Sequence, residues 1–361
     1  LKRAPEDVAR EIATWPHVAA VETRISEYVT LDIAGLDRPA VGLLVSLPEN
    51  GEAHLNAIVL RQGRLPRADR SEAVVSENMA LAHGFEPGAT ISAIINGRKR
   101  EITVTGIALS PEFIYAMGPG QIVPDDKTFG IMWMDRGPLE SAFDLDGAFN
   151  AISIGLMRGA DENDIIDRLD IVLAPYGGTG AYGRDDQLSH AFVEQELQQL
   201  WTMATLIPPI FLAVAAFLIN VILSRLIETE REQIGLLKAF GYSSLEVGWH
   251  YAKLALAIVV AGLAIGTAAG LWLGATVTEM YQQYFRFPFL YFRMDPVIFV
   301  AAYAVTVAAA LAGTWRGVAA AVRLSPAIAM QPAPPTVYRR SLVERLHLTR
   351  YVSAPTHMIV R

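Results

Sequence analysis

Cysteine is absent from the 361-residue chain, which excludes disulfides and thiolate metal centres but identifies no compartment. The seven histidines are scattered, without His-Glu-x-x-His or another ligand spacing. His190 and His250 fall beside long apolar runs and read as interfacial polar residues. A Gly-x-x-x-x-Gly-Lys-Ser/Thr phosphate loop is missing, so any ATP hydrolysis must belong to another chain. Also missing are a Gly-x-Ser-x-Gly elbow and an EF-hand loop. Gly178-Thr-Gly-Ala-Tyr-Gly183 fits the letters of a dinucleotide fingerprint, but it follows Ala174-Pro-Tyr rather than an apolar strand. It reads as a flexible loop. No catalytic residue, cofactor or metal ligand is expected in this chain.

Basic charge is scarce at the front. Residues 1–198 carry 17 Lys and Arg against 30 Asp and Glu, whereas residues 199–361 carry 13 against 7. This asymmetry argues for two environments. An acidic front half disfavours nucleic acid, which needs a basic face.

Apolar residues make up 52% of the chain, and most of that weight lies after Leu200. Met203–Leu223 gives 21 residues without a charge, enough to cross a bilayer core at ~1.5 Å of rise per residue. Leu254–Val277 and Val297–Trp315 give two more such runs, and the spans are placed at 201–225, 254–277 and 297–315. From Asp186 to Glu228 there is no glycine, and the only prolines are Pro208 and Pro209. The spacing predicts a helix of about 60 Å, opening as a stalk over 186–200 and kinked by the proline pair; a loop between stalk and span is the alternative. Gly262, Gly266, Gly270 and Gly274 repeat on one face of the second span, a small-residue groove that lets another helix approach closely. The tail, 316–361, holds seven Lys and Arg against Glu344 alone. Positive-inside then places it in the cytoplasm, with the 226–253 link beside it and the acidic domain and the 278–296 link outside.

The front 185 residues alternate short strands with short helices. Glu6–Thr14 reads as a helix and Val18–Ala34 as strand-like; Ala40–Leu47, Ala57–Leu60 and Glu72–Val75 are further strands. Thr90–Ile95 and Glu101–Ile107 flank Asn96-Gly97, a tight hairpin turn. After Ile131–Met134 and Ala151–Leu156, Asp161 caps a helix running to Leu173. The fold class is an α+β extracytoplasmic domain joined to an α-helical domain of three transmembrane spans.

Between the first two spans, Glu230-Arg-Glu-Gln-Ile-Gly-Leu-Leu-Lys-Ala-Phe-Gly-Tyr-Ser243 reads as a short amphipathic helix. Gly241 stops it, and Ser243 or Ser244 caps the next. Ile234 and Leu237 would lie exposed for a partner, flanked by Arg231 and Glu232. Glu228, Glu230 and Glu232 argue against the helix lying on anionic head groups. This segment resembles the cytoplasmic coupling segment of FtsX-like ABC transporter permeases, among them the MacB-type exporters and the LolC and LolE lipoprotein-releasing permeases. Arg323-Leu-Ser-Pro-Ala-Ile-Ala-Met330 is similar to the segment after a later span in that family, and Glu72-Ala-Val-Val-Ser-Glu77 to part of its extracytoplasmic domain.

The resemblance implies a MacB-like domain over 1–185, a βαβ-like layer with a β-rich subdomain inserted at about 55–147. It also implies a bacterial inner-membrane permease with no ATPase site of its own, ATP and Mg being bound by a partner subunit. Mechanotransmission would pass through Glu230, Arg231, Glu232, Ile234, Gly235, Leu237, Lys238 and Gly241. The partners implied are that ATPase, a second permease half or subunit, membrane lipids and an extracytoplasmic adaptor. The resemblance also marks the tail as the run-in to a second membrane repeat. The role would be export or envelope lipid, lipoprotein or peptide handling. The alternatives are a non-transporting regulator of an extracytoplasmic cell-wall hydrolase and a membrane-anchored enzyme.

Overall fold

The structure is a computed structural model that describes residues 1–48, 55–68 and 70–323. Its described residues form two compact units, Leu1–Met203 with Leu271–Arg293, and Ala204–Gly270 with the described residues from Met294 onward.

The first unit begins with β1 (Ala4–Pro5), α1 (Glu6–Ile12), β2 (Val18–Arg24), β3 (Ser26–Asp32), β4 (Ala40–Ser46) and β5 (Val59–Gly63). There follow β6 (Glu72–Ser76), α2 (Glu77–His83), β7 (Thr90–Ile95), β8 (Arg98–Leu109) and β9 (Phe129–Met134). The unit continues through α3 (Arg136–Phe143), β10 (Ala148–Phe149), β11 (Ala151–Leu156) and α4 (Glu162–Leu173). Seven strands run in the order β5-β8-β6-β9-β4-β3-β7, and β7 pairs β8 as well, so six of them close into a ring. The long strand β8 makes closure possible: Arg98–Thr103 pairs β7, while Thr103–Ala108 pairs β6 in parallel. Closure leaves few unpaired edges. Every strand of the ring sends side chains into one cluster, including Leu31, Leu44, Val75, Ile91, Ile102 and Met132, with Met79 and Leu139 from the helices. On the opposite face of β4, β6 and β9, Leu43, Val74, Phe129 and Trp133 form a second cluster. Strand β9 is buried along its whole length, the pattern of a strand covered on both faces.

Asn96 and Gly97 adopt φ of 45° and 73°, the left-handed pair that a two-residue hairpin needs, and they join β7 to β8 as expected. Asp161 caps α4 by accepting from Asn163 N. The glycine-rich 178–183 segment is a loop. The structure departs from expectation at Ile25. The strand-like run 18–34 divides there, β2 joining β11 and β3 joining the ring. Both halves alternate identically, and alternation does not say which sheet a strand enters. The β-rich part accordingly starts at Ser26 rather than near residue 55. The flanking layer is α1, β2, β11 and α4, and its strands run antiparallel rather than as a parallel βαβ pair. Two arginines join this layer to the ring. Arg24 of β2 donates to Glu112 at 2.5 Å and to Leu55 O at 3.0 Å. Arg136 of α3 donates to Thr23 Oγ1 at 2.9 Å, Ala148 O at 3.0 Å, and also to Glu6.

Among the described residues, three helices are long and apolar enough to cross a membrane: α5 (Leu188–Thr229), α7 (Ser244–Tyr284) and α8 (Pro296–Arg323), the last over Pro296–Ala319. Between α5 and α7 lies α6 (Arg231–Ala239). Helix α5 passes through Pro208 and Pro209 without a break, the continuous form of the two expected. Pro208 and Pro209 each lack the backbone N–H of an interior helical position.

Candidate functional site

The short helix between the first two spans is fixed at both ends. Glu230, at φ −90° and ψ 13°, breaks α5 from α6. At the far end Gly241 takes φ 98°, a conformation closed to most side chains. Tyr242 N then donates to Leu237 O at 3.2 Å and Gly241 N to Lys238 O at 3.1 Å, as in a glycine-terminated helix. Ser243 Oγ accepts from Glu246 N while Glu246 accepts from Ser243 N, a reciprocal capping box that opens α7.

The expected residues divide between a base and a surface. Ile234, only 1% exposed, packs with Leu223, Ile227, Val247, Tyr251 and Ala255. This corrects its expected exposure: α5 and α7 close over the Ile234 side of α6. Gly235 is buried beside it. Glu230 accepts from Tyr251 OH at 2.6 Å. Lys238 Nζ donates to Val322 O at 3.0 Å, near the end of α8, where a cation meets the free carbonyls. Burial there pushes the Lys238 ammonium below its ordinary pKa. Arg231 is half-buried and Glu232 exposed.

Leu237 is 42% exposed, and it does not stand alone. Leu236 and Phe240 on α6, with Tyr242, Leu245 and Trp249 after it, are exposed as well. Sequence periodicity missed Leu236 and Phe240, because it placed Ile234 outward and so turned the helix by part of a turn. The signal was present: Ile234 aligns with Val247 and Tyr251 only if the link doubles back at Gly241. An apolar face this dense beside charged neighbours has the make-up of an interface.

The glycine groove of α7 is largely open within the chain. A Cβ at Gly262, Gly266 or Gly270 would meet nothing within 4 Å, and one at Gly274 would meet only the Phe292 ring. No described helix of this chain fills the groove at the first three positions. Gly262 and Gly266 line an apolar cavity of about 410 Å³ together with Leu212, Ile219, Phe299 and Tyr303. The close contacts lie elsewhere. A Cβ at Gly313 would meet Ala216 O at 2.5 Å, and one at Gly248 would meet Val322 at 2.7 Å. Gly313 and Gly317 form a Gly-x-x-x-Gly pair on α8 that the sequence reading passed over. Arg323 ends the described chain, so the 323–330 resemblance and the tail fall almost wholly outside the described residues.

Three long apolar helices joined to a closed α/β unit define a membrane protein with a large folded part beyond its spans. Residues 205–326 match the model of the FtsX-like permease C-terminal domain. No curated protein matches the sequence. Among solved structures, the extracellular domain of the noncanonic ABC-type transporter YknZ from Gram-positive bacteria is similar at 12% identity and TM-score 0.34, over 50% of this chain and 88% of that one. The periplasmic region of MacB from Actinobacillus actinomycetemcomitans is similar at 14% and 0.31, over 48% and 76%. A domain of a putative permease protein from Porphyromonas gingivalis is similar at 16% and 0.31, over 49% and 73%.

Proposed function

We propose that the chain is the permease subunit of an ABC transporter and that α6 is its docking element for a cytoplasmic ATPase. The observation that carries the reading is the division of labour on α6, within the stretch that matches the permease family. Ile234 and Lys238 fasten the helix to α5, α7 and α8, while Leu236, Leu237 and Phe240 remain exposed. A helix gripped on one side transmits a push; a loose one absorbs it. Nucleotide-driven closure of the ATPase would move α6, and the unbroken α5 would carry that motion towards the α/β unit on the other side of the membrane. ATP and Mg are held by the partner, and the present chain supplies the lever. The basic tail supports a cytoplasmic α6, and the acidic front half supports an outer location for the α/β unit. Export or envelope handling of lipid, lipoprotein or peptide follows from the family; the apolar cavity favours no one of these cargoes.

The test is co-purification of the complete permease with its ATPase. Leu237→Asp puts a charge into the apolar contact and should reduce recovered ATPase at least tenfold, since burying an unpaired charge costs several kcal/mol. The variant's own melting should not change. Undiminished ATPase with full activity would show that α6 is not the docking element.

A further inference from the structure

The link that follows α7 reads Phe285-Arg-Phe-Pro-Phe-Leu-Tyr-Phe-Arg293, five aromatics and two arginines without an acid. It is held in shape at several points of its own unit. Arg286 N donates to Ile114 O at 3.1 Å, Arg61 donates to Pro288 O at 2.9 Å, and Gln282 donates to Leu290 O at 2.9 Å. The Tyr115 ring sits between Phe192 and Phe285, with centroids at 4.4 and 5.7 Å. Phe289 and Tyr291 are 63% and 74% exposed.

Arg286 stands apart from the two buried arginines described in this unit. Arg24 and Arg136 each face a carboxylate. The Arg286 guanidinium makes no hydrogen bond or ion pair with any described residue, although its Nε is shut off from solvent. Glu196, which reaches the neighbouring turn of α7, accepts from the Tyr281 hydroxyl. The rest of the half-buried guanidinium reaches solvent, where an anion can approach it, and the enclosed Nε is a donor still without an acceptor. A planar guanidinium matches a phosphate with paired hydrogen bonds, and aromatics beside it are the residues of a membrane interface.

We propose that Arg286, framed by this aromatic link, binds the phosphate of a phospholipid headgroup in the outer leaflet. The site goes beyond the docking reading and shares with it only the placement of the link on the outer face. Headgroup capture there would tie the base of the α/β unit to the bilayer surface, a fixed point against which a lever can work.

The complete permease with its ATPase is reconstituted in vesicles of phosphatidylglycerol and phosphatidylethanolamine. It is then extracted in detergent and weighed by native mass spectrometry. Wild type should retain phospholipid, and Arg286→Gln should retain about tenfold less, the worth of a charge-assisted contact. Arg286→Lys keeps the charge without the fork and should fall between them; it carries the test if the glutamine variant melts early. Added inorganic phosphate should not displace the lipid, because the acyl chains hold it too. Equal lipid on wild type and Arg286→Gln overturns the site. Occupancy by inorganic phosphate with no lipid retained overturns the lipid as its source. ATPase recovery in the same samples should be unchanged, so a failure of docking is seen separately from a failure of the headgroup site.

Discussion

Ile234 and Leu237 are three residues apart on one short helix, yet their surroundings assign them opposite work. Ile234 fills the gap between Leu223, Ile227 and Tyr251, so Ile234→Ala removes buried methyl groups and leaves a cavity. We expect a loss of about 2–5 kcal/mol from the helical unit, measured as an earlier melting transition, with ATPase still bound by the folded fraction. The Leu237 variant should show the reverse pattern. In the α/β unit, Glu72 receives both Arg64 Nη groups at 2.7 and 2.8 Å and the Arg67 backbone N–H at 3.1 Å. The Arg64 hydrogen bond is the main reason that its carboxyl is held down at about 2, from an ordinary 4.5. A depressed carboxylate pKa favours folding while the group is charged. That contribution is complete above 4.5 and disappears as pH falls towards 2. Glu72→Gln should therefore flatten the acid limb of the melting curve across that window; an unchanged limb would place the acid sensitivity on other carboxylates.

Among the helices, two sets of glycines can be told apart by what surrounds them. Gly313 lies against the α5 backbone at Ala216, so Gly313→Leu should force α5 and α8 apart and lower the melting temperature of the chain itself. Gly266→Leu meets nothing within the chain. It should insert and melt like wild type but assemble poorly, because leucine suits lipid while blocking close helix approach. Normal recovery of the complex with Gly266→Leu would show that the groove has no helical occupant. How far these elements were legible in the sequence depended on the range of the signal. The Asn96-Gly97 turn, the Asp161 cap, the Gly241 stop and the unbroken α5 are local, and each is where its residues put it. The transfer from one sheet to another at Ile25 depends on distant strands. Helix α3 escaped notice because Gly137 and Pro138 occupy its first turn, although Asp135 caps it by accepting from Gly137 N. The burial of Ile234 required knowing that α7 folds back beside α5, which periodicity within α6 cannot report.

For the molecule as a whole, the question is whether the α/β unit needs the helices in order to fold. Its ring closes on itself through the pairing of β7 with β8, and its largest cluster draws only on residues 25–148. The layer of α1, β2, β11 and α4 has a separate cluster around Ile12, Trp15 and Leu169. What binds the two parts is polar: Arg24 and Arg136, both 7% exposed, reach across to Glu112 and Glu6. The fragment from Lys2 to about Arg184 keeps all of these and loses the contacts of Tyr115 with Ser189, Phe192 and Phe285. We expect it to be soluble and to melt in one cooperative transition, which calorimetry would register as equal calorimetric and van't Hoff enthalpies. Broad, non-cooperative melting would mean that the helices complete its core. Arg136→Ala should then uncouple the parts. Removing one partner strands Glu6 and Glu140 without their cation, at about 3–5 kcal/mol for a buried pair. That cost falls on the junction and spares both hydrophobic clusters, so the single transition should split in two, the β2–β11 layer melting before the ring. If Arg136→Ala lowers one undivided transition instead, the layer and the ring share a core that their separate clusters do not reveal.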